Sequence, residues 1–181
     1  MSIASDMHCR YVKSIANRVR GAIYHVVAHG NLKQAIFRSA RDRLRLLDRL
    51  EETASRHQLR VYAWTLMTTH YHLLLCTPRA NLSRAMHQLQ SSYSTYVRAR
   101  HNLSGHVFGG RYKARLVEGD PYLLALTRYI HLNPIHTRHM RERPLEERLA
   151  FLKNGHRPVW LTIIRLQRNS PVTTGLPSLV S

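Results

Sequence analysis

Two histidines, His70 and His72, flank Tyr71 inside the apolar run Thr69-His70-Tyr71-His72-Leu73-Leu74-Leu75-Cys76. The run reads as a buried β-strand, where residues two apart project from one face, so both imidazoles leave the same side of a hydrophobic strand. Such a pair needs acceptors or donors: a divalent metal is one answer, and hydrogen-bonded or surface histidines are the ordinary alternative. A second constellation lies toward the C-terminus. Asp120-Pro121 supplies an N-cap and a first-turn proline for a helix over about Pro121 to Asn133, which Pro134 stops or kinks. Residues at i, i+4, i+7 and i+11 of that helix share a face, namely Tyr122, Leu126, Tyr129 and Asn133. Tyr129 and Asn133 therefore stand one turn apart. Beside a two-histidine metal site, a phenol and an amide oxygen make a phosphoryl-transfer set: the metal polarises a phosphate and the phenol attacks phosphorus. Neither element is diagnostic alone, since the chain has nine tyrosines and a helical tyrosine is usually core or interface.

The elements around these residues follow from pattern. Gly21 to Val27 is β-rich and runs into the turn His29-Gly30-Asn31. From about Ser39 to His57, Leu44, Leu47 and Leu50 recur at helical spacing, with Arg41, Arg45 and Arg49 as a solvated stripe partly neutralised by Asp42, Asp48, Glu51 and Glu52. Leu59 to Met67 and His70 to Thr77 form a hairpin across Thr68-Thr69, and Asn81 or Ser83 caps a helix to about Arg100 with Leu82, Met86, Leu89, Tyr93 and Tyr96 on one face. His106 to Glu118 reads as a strand pair or irregular hairpin, Glu142 to Lys153 as a helix, and Gly155 to Ser181 as a poorly structured tail. The order β-α-β-β-α-β predicts an α+β, ferredoxin-like antiparallel sheet with helices on one face and an accessory helix carrying Tyr129.

Composition narrows the partner. The 181 residues suit one domain, and 44% hydrophobic content suits a folded one. Lys and Arg number 28 against 10 Asp and Glu, a formal charge of +18, which points to a polyanion and above all to nucleic acid. Most of the cations are arginines, whose planar fork suits phosphates. Arg111, Lys113 and Arg115 alternate as though along one strand face and make a candidate DNA track, with Arg84 and Arg98 as helix-borne additions. Nothing resembles a membrane span or a signal peptide, and Cys9 and Cys76 are isolated, so a reducing cytosol is expected, with Cys76 as inert packing.

Six ordered blocks carry a family resemblance: Gly21-Ala22-Ile23-Tyr24-His25-Val26; Gly30-Asn31 with Gln34-Ala35-Ile36-Phe37; Met67 to Leu75; Asn81-Leu82-Ser83-Arg84-Ala85-Met86; Gly105 to Ala114; and Arg128-Tyr129-Ile130-His131-Leu132-Asn133-Pro134. In order and spacing the chain resembles the single-tyrosine HUH transposases, and within them the REP-associated tyrosine transposases, over about residues 17–143, with 144–181 a divergent or poorly ordered extension. The resemblance implies metal ligation by His70, His72 and Asn133, Tyr129 as nucleophile, and Tyr71 packed in the core. It implies cleavage and rejoining of single-stranded or hairpin DNA, such as a REP-like palindrome, through a 5′-phosphotyrosine. It further implies Mg or Mn as the metal, and a monomer or homodimer. The chain departs from the family pattern at Thr69 (commonly Asn), His29 (commonly Arg) and Gly110 (often Gln), and after Trp160 the usual Trp-Ser-Ser-Tyr segment is not recognisable. A domesticated hairpin-binding protein without cleavage is the alternative. An RNA-binding ferredoxin-like module is a third, which the lack of an aromatic-rich strand pair disfavours.

Overall fold

The computed structural model describes residues 19–136 and 138–155. Along the chain run β1 (Ala22–His29), a 3-10 turn (Asn31–Lys33), α1 (Ala40–His57), β2 (Arg60–Met67), β3 (His70–Thr77), α2 (Leu82–His101), β4 (Lys113–Leu116), α3 (Asp120–Leu132), a second 3-10 turn (Asn133–His136), α4 (Arg138–Arg141) and α5 (Leu145–Gly155). The four strands form one antiparallel sheet in the order β2-β3-β1-β4. This is the α+β, ferredoxin-like order expected from the sequence. The continuous apolar run of β3 suits its central place, where both faces are covered.

The two faces of the sheet are covered differently. Tyr24, Val26 and Ala28 of β1 and Tyr71, Leu73 and Leu75 of β3 pack against Leu46, Leu50 and Ala54 of α1 and Leu82, Ala85, Met86, Leu89, Tyr93 and Val97 of α2. On the opposite face Ala63 and Leu74 meet Leu126 and Ile130 of α3. The accessory helix is thus the cover of the second face.

Several local expectations change. On α1 the buried leucines are Leu46 and Leu50, whereas Leu44 is 62% exposed. Periodicity located the stripe, but the choice between adjacent leucines needed the partner surface. Asp42, placed by the sequence among the solvated acids, is fully buried: with Ser39 it closes a capping box at the start of α1. At α2 Asn81 holds the cap position as expected, but its side chain makes no capping bond and donates instead to the carbonyl of His57 (2.9 Å). The segment before α3 makes no hairpin with itself. Phe108 bridges to Gly30, and β4 pairs with β1. Gly119, with φ 80° and ψ 148°, rather than Asp120, occupies the N-cap of α3, because only a glycine takes that backbone without strain. α4 was not anticipated. α5 falls largely within the expected Glu142–Lys153 helix, while Cys9 and the expected tail beyond residue 155 lie outside the described residues. Among the described residues no helix is long and apolar enough to cross a membrane.

Candidate active site

Alternation along β3 sends Tyr71 into the two-helix core, where it is 0% exposed and meets Phe108 edge-on, and sends His70 and His72 to the other face. Their ring centroids lie 5.1 Å apart. Antiparallel register sets β1 beside them, with His29 opposite His70 and Val27 opposite His72. His29 stacks on His70 with centroids at 4.8 Å, and His25 lies beside His72 with Nε2 2.9 Å from Nδ1 and the ring planes 12° apart. Thr69 Oγ1 is 3.1 Å from His70 Nδ1, so the residue that departs from the family pattern supplies a hydroxyl partner. Both motif histidines therefore have Nδ1 engaged.

Burial disfavours the charged form of these rings. It pushes the His72 pKa down to about 3, helped by His25, His70 and His29, and that of His25 down to about 4, helped by the Arg115 cation. His70 and His29 are also lowered, first by burial, then by His29 in the one case and by Lys113 and Lys33 in the other. Neutral imidazoles keep lone pairs for a cation.

Seating Leu126 and Ile130 on Ala63 and Leu74 places Tyr129 at the margin of the covered patch. Its ring is 5.9 Å from that of His72, and it is 45% exposed, which leaves it open to solvent. Backbone angles stay helical through Asn133 (φ −52°, ψ −41°), so this residue follows one turn beyond Tyr129. Among the buried side-chain atoms without a partner in the described residues are His72 Nε2 and, one turn beyond Tyr129, Asn133 Nδ2. Buried polar groups normally find one. A cation would take the imidazole lone pair directly, and a half-turn of the amide would present Oδ1 in place of Nδ2. Among the described residues no three His, Cys, Asp or Glu side chains are placed to hold a metal, so a cation here would need a ligand of another kind beside the imidazoles, and an amide oxygen such as that of Asn133 is of a fitting type.

The basic residues divide. Arg115 pairs opposite His25 and Lys113 opposite Val27, so both stand on the histidine face. Arg111 precedes β4 and is not in line with them, which corrects the expected three-residue alternation. It lines instead a groove of about 460 Å³ shared with Arg98, His87 and His106. Arg84 sits near the opposite end of α2. The register of β1 on β3, which brings the rings of His25 and His29 to the motif histidines, is not visible in either strand alone. Cys76 is buried, its thiol 3.4 Å from the Gly21 carbonyl, as expected of packing.

A four-stranded antiparallel sheet with paired histidines on one face and an exposed helical tyrosine beside one of them defines the class, that of small α+β, ferredoxin-like proteins. Residues 18–133 match the family model described as "Transposase IS200 like", and the chain belongs to that family. In fold it is similar to a REP-associated tyrosine transposase solved with a REP hairpin: TM-score 0.55 at 12% identity, over 78% of this chain and 85% of that one. A protein of Deinococcus radiodurans R1 described as a transposase aligns at 18% identity and TM-score 0.47, over 66% of this chain and 95% of that one. No curated protein matches the chain.

Proposed function

We propose that the protein cleaves and rejoins single-stranded DNA next to a hairpin, with Tyr129 as nucleophile and a divalent cation, Mg or Mn, held by His70, His72 and Asn133. The observation that carries this is the exposed Tyr129 phenol ring 5.9 Å from the ring of His72, whose Nε2 is buried and unpartnered. The bound cation would supply charge to the scissile phosphate. Tyr129 Oη forms a bond to phosphorus as the bond from phosphorus to the 3′-oxygen breaks. The phenolic proton leaves to water, and the released 3′-oxygen takes one up. Attack by a second 3′-hydroxyl reverses the step, rejoins DNA and frees Tyr129. Lys113 and Arg115 guide the strand across the histidine face, and Arg98 and Arg111 offer phosphate contacts in the groove between α2 and the segment before β4. Likeness to a hairpin-bound relative supports the choice of a REP-like hairpin as partner. A bacterial cytoplasm, close to the nucleoid, is the compartment where that substrate lies.

Labelled hairpin DNA with a single-stranded flank, incubated with Mg²⁺ or Mn²⁺, should yield a covalent protein–DNA adduct resistant to denaturation. Tyr129→Phe removes one oxygen, so hairpin affinity should persist while the adduct disappears. An adduct that survives Tyr129→Phe would move the role to another tyrosine. Wild-type protein that binds the hairpin and never forms an adduct would leave a hairpin-binding protein without cleavage.

A further inference from the structure

His25 belongs to no part of the chemistry derived above, yet it makes the closest polar contact in the site. Its Nε2 lies 2.9 Å from His72 Nδ1, and both residues are buried, at 9% and 6% exposure. One proton fits between the two nitrogens. If His25 donates it, a neutral His72 must carry its own proton on Nε2 and can offer no lone pair to the site. If His72 donates it, His72 Nε2 is bare, and this is the atom that has no partner among the described residues. His25 then holds its proton on Nδ1. The choice is not forced in the same way at His70, whose Nδ1 neighbour is the Thr69 hydroxyl, a rotor able to donate or accept.

We propose that His25 is a positioning residue: it accepts the Nδ1–H of His72 and so fixes the tautomer and ring angle that present His72 Nε2 to a divalent cation. This rests on the metal-site reading above. A metal-bound imidazole is generally held through its second nitrogen, and loss of such a partner costs about 10- to 100-fold in metal affinity.

The test needs no turnover. In metal-free protein labelled with ¹⁵N-histidine, long-range ¹H–¹⁵N spectra at neutral pH should show His72 protonated on Nδ1 and bare on Nε2. Mn²⁺ titrations followed by electron paramagnetic resonance should show His25→Ala binding about 10- to 100-fold more weakly than wild type, with the His72 tautomer preference lost. His25→Gln, whose Oε1 reaches the place of the imidazole Nε2, should restore both. His25→Asn, one carbon shorter, should not. Thermal melts of the Gln and Asn variants separate this from a folding defect. Wild-type His72 protonated on Nε2, unchanged Mn²⁺ affinity in His25→Ala, or a folded His25→Gln as weak as His25→Ala would each overturn the proposal. Wild-type protein that binds no divalent ion would overturn the metal reading and this proposal with it, whereas normal wild-type binding with an indifferent His25→Ala overturns this proposal alone.

Discussion

Asp42→Ala is expected to destabilise the protein by about 3 kcal/mol, a large share of the roughly 5–15 kcal/mol typical of a domain. The carboxylate is 0% exposed and saturated. Oδ2 accepts the amides of Arg38 and Ser39 at 2.9 Å each, Oδ1 accepts the Tyr96 hydroxyl at 3.2 Å, His101 Nε2 lies 3.1 Å from both oxygens, and Arg100 Nε is 3.4 Å from Oδ1. Losing the cap alone costs about 1 kcal/mol. Breaking a buried charge pair costs about 3–5 kcal/mol, taken here at the low end because the Arg100 side chain is 34% exposed and can turn to water. The two terms share one carboxylate, so they overlap rather than add. Urea unfolding followed by circular dichroism at pH 7 reads the difference, and the melting temperature should fall by roughly 10 °C. The pH dependence has a definite sign. Burial pushes the Asp42 pKa up, but hydrogen bonds from His101, the Arg38 amide and Ser39 outweigh it, and the net value lies below the ordinary 3.8. A depressed carboxyl pKa contributes stability above the unfolded value and loses it as pH falls through the folded one. The gap between wild type and Asp42→Asn should therefore narrow as pH drops below 3.8. A loss under about 1 kcal/mol at pH 7 for Asp42→Ala, or a gap that widens in acid, would refute the reasoning.

Neutralising Lys113 and Arg115 together should flatten the salt dependence of single-strand binding by about 1.4 in the log–log slope, two contacts at roughly 0.7 each, measured by fluorescence anisotropy over a salt series. An unchanged slope would put the DNA off the histidine face. Gly30→Ala should destabilise the fold and lower DNA binding, because a Cβ there would collide with the Gln34 carbonyl oxygen and lie 2.9 Å from Ile36 Cγ2, in the turn that follows His29. Equal melting temperatures for Gly30→Ala and wild type would show that the turn gives way freely. Leu46→Ala should cost about 2–5 kcal/mol in urea unfolding and Leu44→Ala far less. Similar losses for both would contradict the assigned buried face of α1.

What the sequence made legible was periodic or positional. Alternation alone put His70 and His72 on one face and Tyr71 on the other, and helical spacing alone put Tyr129 and Asn133 one turn apart. What it hid depended on pairing. His25 and His29 reach the motif histidines only through the register that sets His29 opposite His70, and one strand's sequence does not contain its neighbour's register. Asp42 looked like one acid among four on a charged helix. Its burial follows from the packing of α1 on α2, whose Tyr96, Arg100 and His101 sit more than fifty residues away in sequence. Arg111 seemed to extend an alternating track, but β4 starts only at Lys113, so alternation before that point has no strand to act through.

The unequal cover of the two faces accounts for where the chemistry collects. α1 and α2 together cover one face, whereas the described contacts of α3 with the other centre on Ala63 and Leu74. Beyond that patch exposure rises step by step, from buried His72 through half-buried His70 to exposed His29. Lys113 and Arg115 stand on the same face, on the edge strand β4. The rim of this open end is held from the opposite side of the sheet. The Gly30 amide donates to the Thr69 carbonyl and the Ile36 amide to the Thr68 carbonyl, while Tyr93 Oη donates to the carbonyl of Ile36 from within α2 (2.7 Å). Asp42 then ties the start of α1 to the end of α2, from which the chain leads on to β4 and its two basic residues. The helices on the far face thus fix the loops that frame the histidines, and a substitution such as Asp42→Ala should loosen the site without touching any residue in it.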